Sequence, residues 1–188
     1  MPSLISYQTT SKANCAKLLL IVALMTIVVS LTMAEEKPPN DKEKVVMGWL
    51  ETIFLQPGNQ KVTAKLDTGA KTSSVNAAKI EHIVKGGNPW VRFLFATEKG
   101  GDSVIIERPL VRTAIIKERA AGSSKRDVVI LTFCKNGEDY ETEFTLNDRS
   151  NFNYPVLLGR SFLADVALVD ASSTFMLKAE RDKCMEKK

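Results

Sequence analysis

The sequence predicts a mostly β domain that folds as a closed or nearly closed barrel. From Val45 onward, short apolar or alternating segments are separated by turn signals, and Asn136-Gly137 is the strongest hairpin signal among them. The sequence shows no long amphipathic helical pattern, no heptads and no strand–helix alternation. We therefore expect a mostly β barrel with one short helix, over residues 161–165.

The first part of the 188-residue chain is typical of an exported protein. Lys12 and Lys17 precede an uncharged apolar run, residues 18–34, which ends in small residues before Glu35. This order predicts a signal peptide over residues 1–34 and a periplasmic location. The length of the run also suits an uncleaved anchor, in which case the protein would stay on the inner membrane, facing the periplasm.

Three further segments follow the predicted signal. Residues 35–44 are charged, contain two prolines and are typical of a flexible linker. Residues 45–178 carry the strand pattern and form the predicted domain, and residues 179–188 are a charged tail. Without residues 1–34 the formal charge falls from +4 to +2, and the sequence contains no basic block, so we do not expect nucleic-acid binding.

The cysteines and the single histidine bear on metal and redox chemistry. Cys134 and Cys184 follow the predicted signal, and in an oxidising compartment they could form a disulfide, which sequence alone does not decide. His82 is the only histidine, and one histidine with two distant cysteines makes no recognisable zinc site. We expect neither a metal nor a cofactor.

The candidate catalytic residue is Asp67. Val62, Ala64 and Leu66 alternate with polar residues, which predicts a half-buried strand ending at Asp67, and Thr68-Gly69-Ala70 then forms a turn. A carboxylate at a strand end, beside free backbone N–H groups, is held in one orientation. An isolated Asp-Thr-Gly more often only caps a β-turn, so a second signal is needed to favour catalysis.

Leu157-Leu158-Gly159-Arg160, at the end of an apolar run, supplies that second signal. Asp-Thr-Gly-Ala followed later by apolar-apolar-Gly-Arg resembles the retropepsin-like aspartic peptidases. In that family the first segment carries the catalytic aspartate on a turn, and the second passes behind the turn into a short helix. The resemblance implies a single-lobed acid-protease barrel.

The resemblance is closer to one bacterial branch, and it covers roughly residues 47–177. The matching segments are Ala64–Ser73, Trp90–Phe93, Leu146–Arg149 and Pro155–Arg160. Members of this branch carry the label ATP-dependent zinc protease. The sequence contains neither a His-Glu-x-x-His motif nor a phosphate-binding Gly-x-x-x-x-Gly-Lys loop, so nothing in it supports that label.

The resemblance implies an aspartic endopeptidase in which two carboxylates share one proton. Asp67 would supply one carboxylate, Thr68 would join two active-site turns, and Gly69 would leave room for a peptide substrate. Because the chain holds one Asp-Thr-Gly, the simplest source of the second carboxylate is a homodimer. The alternative hypothesis is a non-catalytic module that binds peptides or envelope components on the same barrel.

One further detail extends the resemblance, and another departs from it. The glycine-rich hairpin tip Lys99-Gly100-Gly101-Asp102 is the candidate flap that closes over substrate. In viral relatives an acid follows Asp-Thr-Gly-Ala and pairs with the later arginine, whereas here Lys71 occupies that position. Arg160 should therefore find another acid. The candidates are Asp148, Asp165 and Asp170, of which Asp170 is also a weak internal candidate for the second carboxylate.

Overall fold

The computed structural model describes residues 43–97, 103–118 and 122–185, which form β-strands and two short helices. The predicted signal and nearly all of the predicted linker lie outside the described residues. In chain order the elements are β1 Val45–Gly48, β2 Leu50–Leu55, β3 Gln60–Asp67, β4 Ser73–Asn76, β5 Ala78–Lys85, β6 Asn88–Ala96, β7 Ser103–Pro109, β8 Arg112–Glu118, β9 Gly122–Lys135, β10 Glu138–Asn147, β11 Val156–Gly159, α1 Arg160–Val166, β12 Ala167–Asp170 and α2 Arg181–Met185.

Six strands close into a ring, which confirms the predicted barrel. Their order is β10-β4-β11-β3-β2-β9, and β9 pairs back with β10 through an antiparallel ladder. Strand β8 pairs with the first part of β9, β5-β6-β7 form a separate three-stranded sheet, and β1 pairs with β12. Helix α1 was predicted and α2 was not. Neither helix is long and apolar enough to span a bilayer.

A core of aliphatic and aromatic side chains fills the barrel, because the alternating strands each place one face inward. Phe162 of α1 packs against Phe133, with ring centroids 5.2 Å apart, and against Tyr140, with centroids 5.4 Å apart. These aromatic contacts fix α1 on the barrel. The helix begins at Arg160, so the same packing positions that residue.

Several predicted element boundaries are wrong. The small and basic residues 119–126 predict a flexible connection, yet Gly122 already begins β9, because residues 122–128 pair along β8. Residues 86–89 predict a turn, but Asn88 and Pro89 belong to β6, because Gly86 and Gly87, both with positive φ, complete the turn. Residues 174–177 predict a strand, but they form an irregular segment.

Residues 173–177, here called the C-terminal strap, run along the start of β2. The N–H of Trp49 donates to the Ser173 carbonyl at 3.0 Å, and the N–H of Phe175 donates to the Leu50 carbonyl at 2.8 Å. A side chain on Gly48 would place its Cβ 2.6 Å from the Ser173 oxygen. The strap can therefore lie this close to β1 only because residue 48 is glycine.

A buried ion pair between β2 and β9 holds the strap. Glu51 and Lys135 have side chains only 1% and 2% exposed, and Lys135 Nζ lies 2.7 Å from Glu51 Oε2. Glu51 Oε1 accepts hydrogen bonds from the N–H groups of Gly48 and Met176, both at 2.9 Å, and Lys135 donates to the Leu177 carbonyl at 3.0 Å. Each charge is thus paired and further hydrogen-bonded, as burial requires.

A disulfide fastens the chain beyond the strap. Cys134 at the end of β9 bonds to Cys184 in α2, so the two cysteines whose pairing the sequence left open are joined. The bridge packs against Phe54 of β2. The predicted charged tail therefore includes a helix that is covalently attached to the barrel.

Glu51→Ala should lower the free energy of unfolding by about 3–5 kcal/mol, because it leaves Lys135 buried without its partner. Urea unfolding measures this loss. Glu143→Ala is the control, because Glu143 pairs with Arg112 at the surface, where such pairs contribute about 0–1 kcal/mol. Equal losses in the two variants would contradict a stabilising role for the buried pair.

Candidate active site

Asp67 is the last residue of β3 and lies on the outer side of that strand. Val62, Ala64 and Leu66 point into the core, whereas Lys65 and Asp67 share the opposite face. The Asp67 side chain is 26% exposed, so solvent or substrate can reach it. The alternation in the sequence thus places the carboxylate where the prediction put it.

The two oxygens of Asp67 have different surroundings. Oδ1 accepts hydrogen bonds from the backbone N–H groups of Gly69 at 2.9 Å and Ala70 at 3.2 Å. Oδ2 lies 3.2 Å from Nζ of Lys65. A Cβ on Gly69 would lie 3.1 Å from Oδ1, so the absence of a side chain gives this turn its close contact. The carboxylate is therefore fixed in one orientation.

The surroundings of Asp67 favour its ionised form. Burial alone would raise the pKa of Asp67, but the hydrogen bond and charge of Lys65, with the N–H groups of Gly69 and Ala70, lower it. The lowering contributions together prevail, and the pKa of Asp67 lies below its ordinary value. A single chain therefore holds this group as a carboxylate at neutral pH.

Gly159 clamps the active-site turn from behind. Strand β11 runs parallel to β3 with Gly159 opposite Asp67. A Cβ at Gly159 would lie 2.6 Å from both the carbonyl carbon and the oxygen of Thr72, so no larger residue fits. The Gly159 N–H donates to Ser73 Oγ at 3.1 Å, while Leu158 beside it is buried in the core.

Arg160 extends this clamp to the front of the turn. Its N–H donates to the Ala70 carbonyl, and its guanidinium Nη1 donates to the carbonyls of Thr68 and Gly69, all at 2.9 Å. Among the residues that the structure describes, it forms no ion pair with any of the three acids proposed from the sequence. The expectation of an acidic partner is wrong, because converging carbonyls of the turn itself satisfy the guanidinium.

The other candidate residues lie in different places. Thr68, Gly69 and Lys71 are exposed, and the flap candidate Lys99-Gly100-Gly101-Asp102 lies outside the described residues. Asp170 ends β12, in a sheet separate from β3, and its Oδ1 accepts hydrogen bonds from the Ser172 N–H and hydroxyl. Asp170 thus caps its own turn.

Sequence reasoning overlooked the side chains that share the face of Asp67. Lys65 of β3, Leu157 of β11 and Ser74 of β4 are paired across neighbouring strands. Side chains paired in this way leave the sheet on the same side, which here is the side of Asp67. The period-2 pattern of β3 could have identified Lys65, but the pairing of β4 with β11 is a tertiary contact that no local pattern reveals.

Arg149 also had no predicted role, although it lies in a segment that carried the resemblance. It is 7% exposed, and it donates to Ser74 Oγ at 3.0 Å and to the Tyr154 carbonyl at 3.1 Å. Burial lowers the pKa of Arg149, the charge of Arg126 lowers it further, and the negative charge of Asp67 opposes both. This arginine is therefore a buried cation on the side of the candidate site.

An Asp-Thr-Gly turn at a strand end, clamped by Gly-Arg on a closed barrel, is typical of the retropepsin-like class of proteins. The family described as RimB-like, "Retropepsin-like aspartic endopeptidase RimB", matches residues 46–180. The match covers most of the chain, and the protein belongs to this family.

Curated relatives carry a different name. A probable alpha-L-glutamate ligase of Shewanella pealeana is 33% identical over 131 residues, which cover 69% of this chain and 29% of the relative. A protein with the same name in Desulfotalea psychrophila is 29% identical and is covered over 26% of its length. The chain thus spans less than a third of the curated relatives it matches.

One similar solved structure supports the fold, and a second one is more distant. Protein Lpg0085 of Legionella pneumophila, described as of unknown function, is 34% identical, with a TM-score of 0.63 over 72% of this chain and all of the neighbour. The Simian Foamy Virus (mac) protease is 21% identical, with a TM-score of 0.36 over 61% of this chain and 91% of the protease.

Gly159→Ala should displace the active-site turn, because its Cβ would overlap the backbone of Thr72. We expect a loss of about 1–3 kcal/mol in the free energy of unfolding, as for overpacked sites. Asp165→Ala, at an exposed position of α1, is the control and should change stability little. A Gly159→Ala protein as stable as the control would contradict the clamp.

Proposed function

We propose that this protein is an aspartic endopeptidase that hydrolyses peptide bonds through a pair of Asp67 carboxylates sharing one proton. The observation that carries the proposal is the fixed carboxylate, with Oδ1 bound to two backbone N–H groups and Oδ2 on an accessible face. The ionised carboxylate would take a proton from water as that water attacks the peptide carbonyl. The protonated carboxylate would hydrogen-bond the developing oxyanion.

A second copy of the chain is the proposed source of the second carboxylate. Thr68 and Gly69 are exposed, whereas Gly159 packs behind the turn and Arg160 binds its carbonyls. A two-fold axis beside Thr68 would bring two Asp67 carboxylates together at an isologous interface. Lys71 is duplicated at the same interface, so we expect a weak dimer that substrate strengthens.

The proposed substrate is a peptide rich in acidic side chains. Lys65 and Arg149 lie on the face that carries Asp67, and both are cations. Relatives named probable alpha-L-glutamate ligase contain a region similar to this chain, which makes glutamate-containing chains a reasonable substrate class. A substrate carboxylate would complement these cations, and added salt would weaken that attraction.

We also propose that the β8–β9 hairpin serves as a lid, in addition to the flap candidate at residues 99–102. Residues 122–128 of β9 pair with β8, and the ladder between β9 and β10 begins at Val128. Arg126 on this arm acts electrostatically on Arg149, whose charge also interacts with Asp67. Residues 124–126 line one pocket together with Asn147 and Asp148, next to Arg149, and from this position the arm would close over a bound peptide.

Export to the periplasm remains part of the proposal. The order of charges and apolar residues in residues 1–34 is its basis. The Cys134–Cys184 disulfide supports an oxidising compartment, where such bridges form and persist.

Asp67→Asn should abolish cleavage of an unstructured, glutamate-rich protein while leaving the fold intact, because it keeps the shape of the side chain and removes the shared proton. The loss should be at least about 10³-fold, as for other essential catalytic groups. Product formation by purified protein measures it, with circular dichroism as the test of folding. Chelator should leave the wild-type activity unchanged.

Two results of this assay would contradict the proposal. Equal cleavage by the folded variant would remove Asp67 from the mechanism. A folded wild-type protein that binds the peptide without cleaving it would favour the alternative, a non-catalytic peptide-binding module.

Mixing wild type with Asp67→Asn protein tests the source of the second carboxylate. If two chains form one site, activity should rise more steeply than linearly with protein concentration, and excess variant should suppress it. Activity that is linear in concentration and unaffected by excess variant would indicate that one chain supplies both groups. Asp170→Asn would then be the next variant to measure.

A further inference from the structure

Lys65 contacts the oxygen of Asp67 that the backbone leaves available. The two N–H groups of the turn occupy Oδ1, so Oδ2 is the oxygen that can share a proton with a second carboxylate. Lys65 Nζ lies 3.2 Å from Oδ2, and among the described residues it is the side chain in ion-pair contact with that oxygen. The residues alternate on β3, so the backbone itself directs both side chains to one face.

This contact differs from an ordinary surface ion pair in one respect. Most exposed pairs hold two mobile side chains and contribute little. Here the carboxylate is already fixed by the turn, so Lys65 alone must be ordered. Lys65 is 40% exposed, and its contact directs the positive charge at the oxygen that would react.

We propose that Lys65 is a positioning residue that holds Oδ2 of Asp67 and sets the pH range in which the carboxylate pair carries a single proton. The pH role rests on the proposed function, whereas the effect on Asp67 in one chain does not. Lys65 itself does not attack the peptide bond. Its role is to orient and stabilise the ionised carboxylate.

The direction of the effect follows from charge. A cation near a carboxylate favours the ionised form, so Lys65 lowers the pH at which Asp67 loses its proton. In a pair, one Lys65 from each chain would lower both ionisation steps, and the singly protonated form would exist at lower pH than without the lysines. Removing Lys65 should therefore move both limbs of the activity profile to higher pH.

Four other cations lie around the site, and their described contacts do not include Oδ2 of Asp67. They are Arg149 on Ser74, Arg126 on the β8–β9 arm, Arg160 on the turn carbonyls, and Lys71. They remain in place when Lys65 is changed, so the experiment isolates the direct contact.

The first measurement is the pH profile of kcat/KM for wild type and three variants on a glutamate-rich peptide. Lys65→Met should move both limbs to higher pH, because the cation that favours the ionised carboxylate is removed. Lys65→Arg should keep the wild-type profile. Lys61→Met, exposed near the start of the same strand, is the matched control and should also keep it. A Lys65→Met profile that superimposes on wild type would overturn the inference.

The second measurement separates this inference from the proposed function. Carbon-13 NMR of the Asp67 side-chain carboxyl follows its titration in the full-length protein, whether or not the protein cleaves anything. The pKa of Asp67 should rise in Lys65→Met and stay low in Lys65→Arg and Lys61→Met, with amide spectra confirming the fold.

The outcomes of the NMR titration are distinct. A rise in Lys65→Met together with no cleavage by wild type would keep the role of Lys65 and reject the peptidase. An unchanged pKa in a folded Lys65→Met protein would reject the role of Lys65, whatever the activity.

Discussion

The absence of a side chain at Gly159 allows the active-site turn and α1 to lie against each other. Its Cα faces the Thr72 carbonyl across a gap that no Cβ fits, and its N–H bonds to Ser73. This approach brings Arg160 within reach of the Thr68 and Gly69 carbonyls. With the turn held in this way, its N–H groups point at one oxygen of Asp67, which leaves the other oxygen available.

Most of the barrel and the centre of the site could be predicted from the sequence, because both depend on local patterns. The alternation before Asp67 predicts the strand, its face and its end, and Asn136-Gly137 supplies the two positive φ angles of a tight hairpin. The order of Asp-Thr-Gly-Ala and apolar-apolar-Gly-Arg predicted that the two segments act together, and the parallel pairing of β3 with β11 confirms it.

The remainder of the site depends on contacts between distant segments. Because Lys71 stands where viral relatives have the acidic partner of the arginine, we expected Arg160 to pair with another acid. Its guanidinium instead donates to backbone carbonyls of the turn. Arg149 reaches Ser74 only because β4 enters the sheet beside β11. Glu51 lies in a strand of mostly apolar residues, and its burial becomes understandable only once Lys135 and the strap are in place.

The C-terminal strap has a consequence for the order of folding. Glu51 forms hydrogen bonds with Lys135 and Met176, which lie 84 and 125 residues further along the chain. Cys134 likewise forms its disulfide with the later Cys184. Contacts of such long separation form slowly, because the chain must first close large loops. If residues enter their compartment from the N-terminus, the start of β2 lacks its contacts with the strap until residues 173–177 have arrived. The strap and Cys184 therefore complete contacts that the earlier strands leave open.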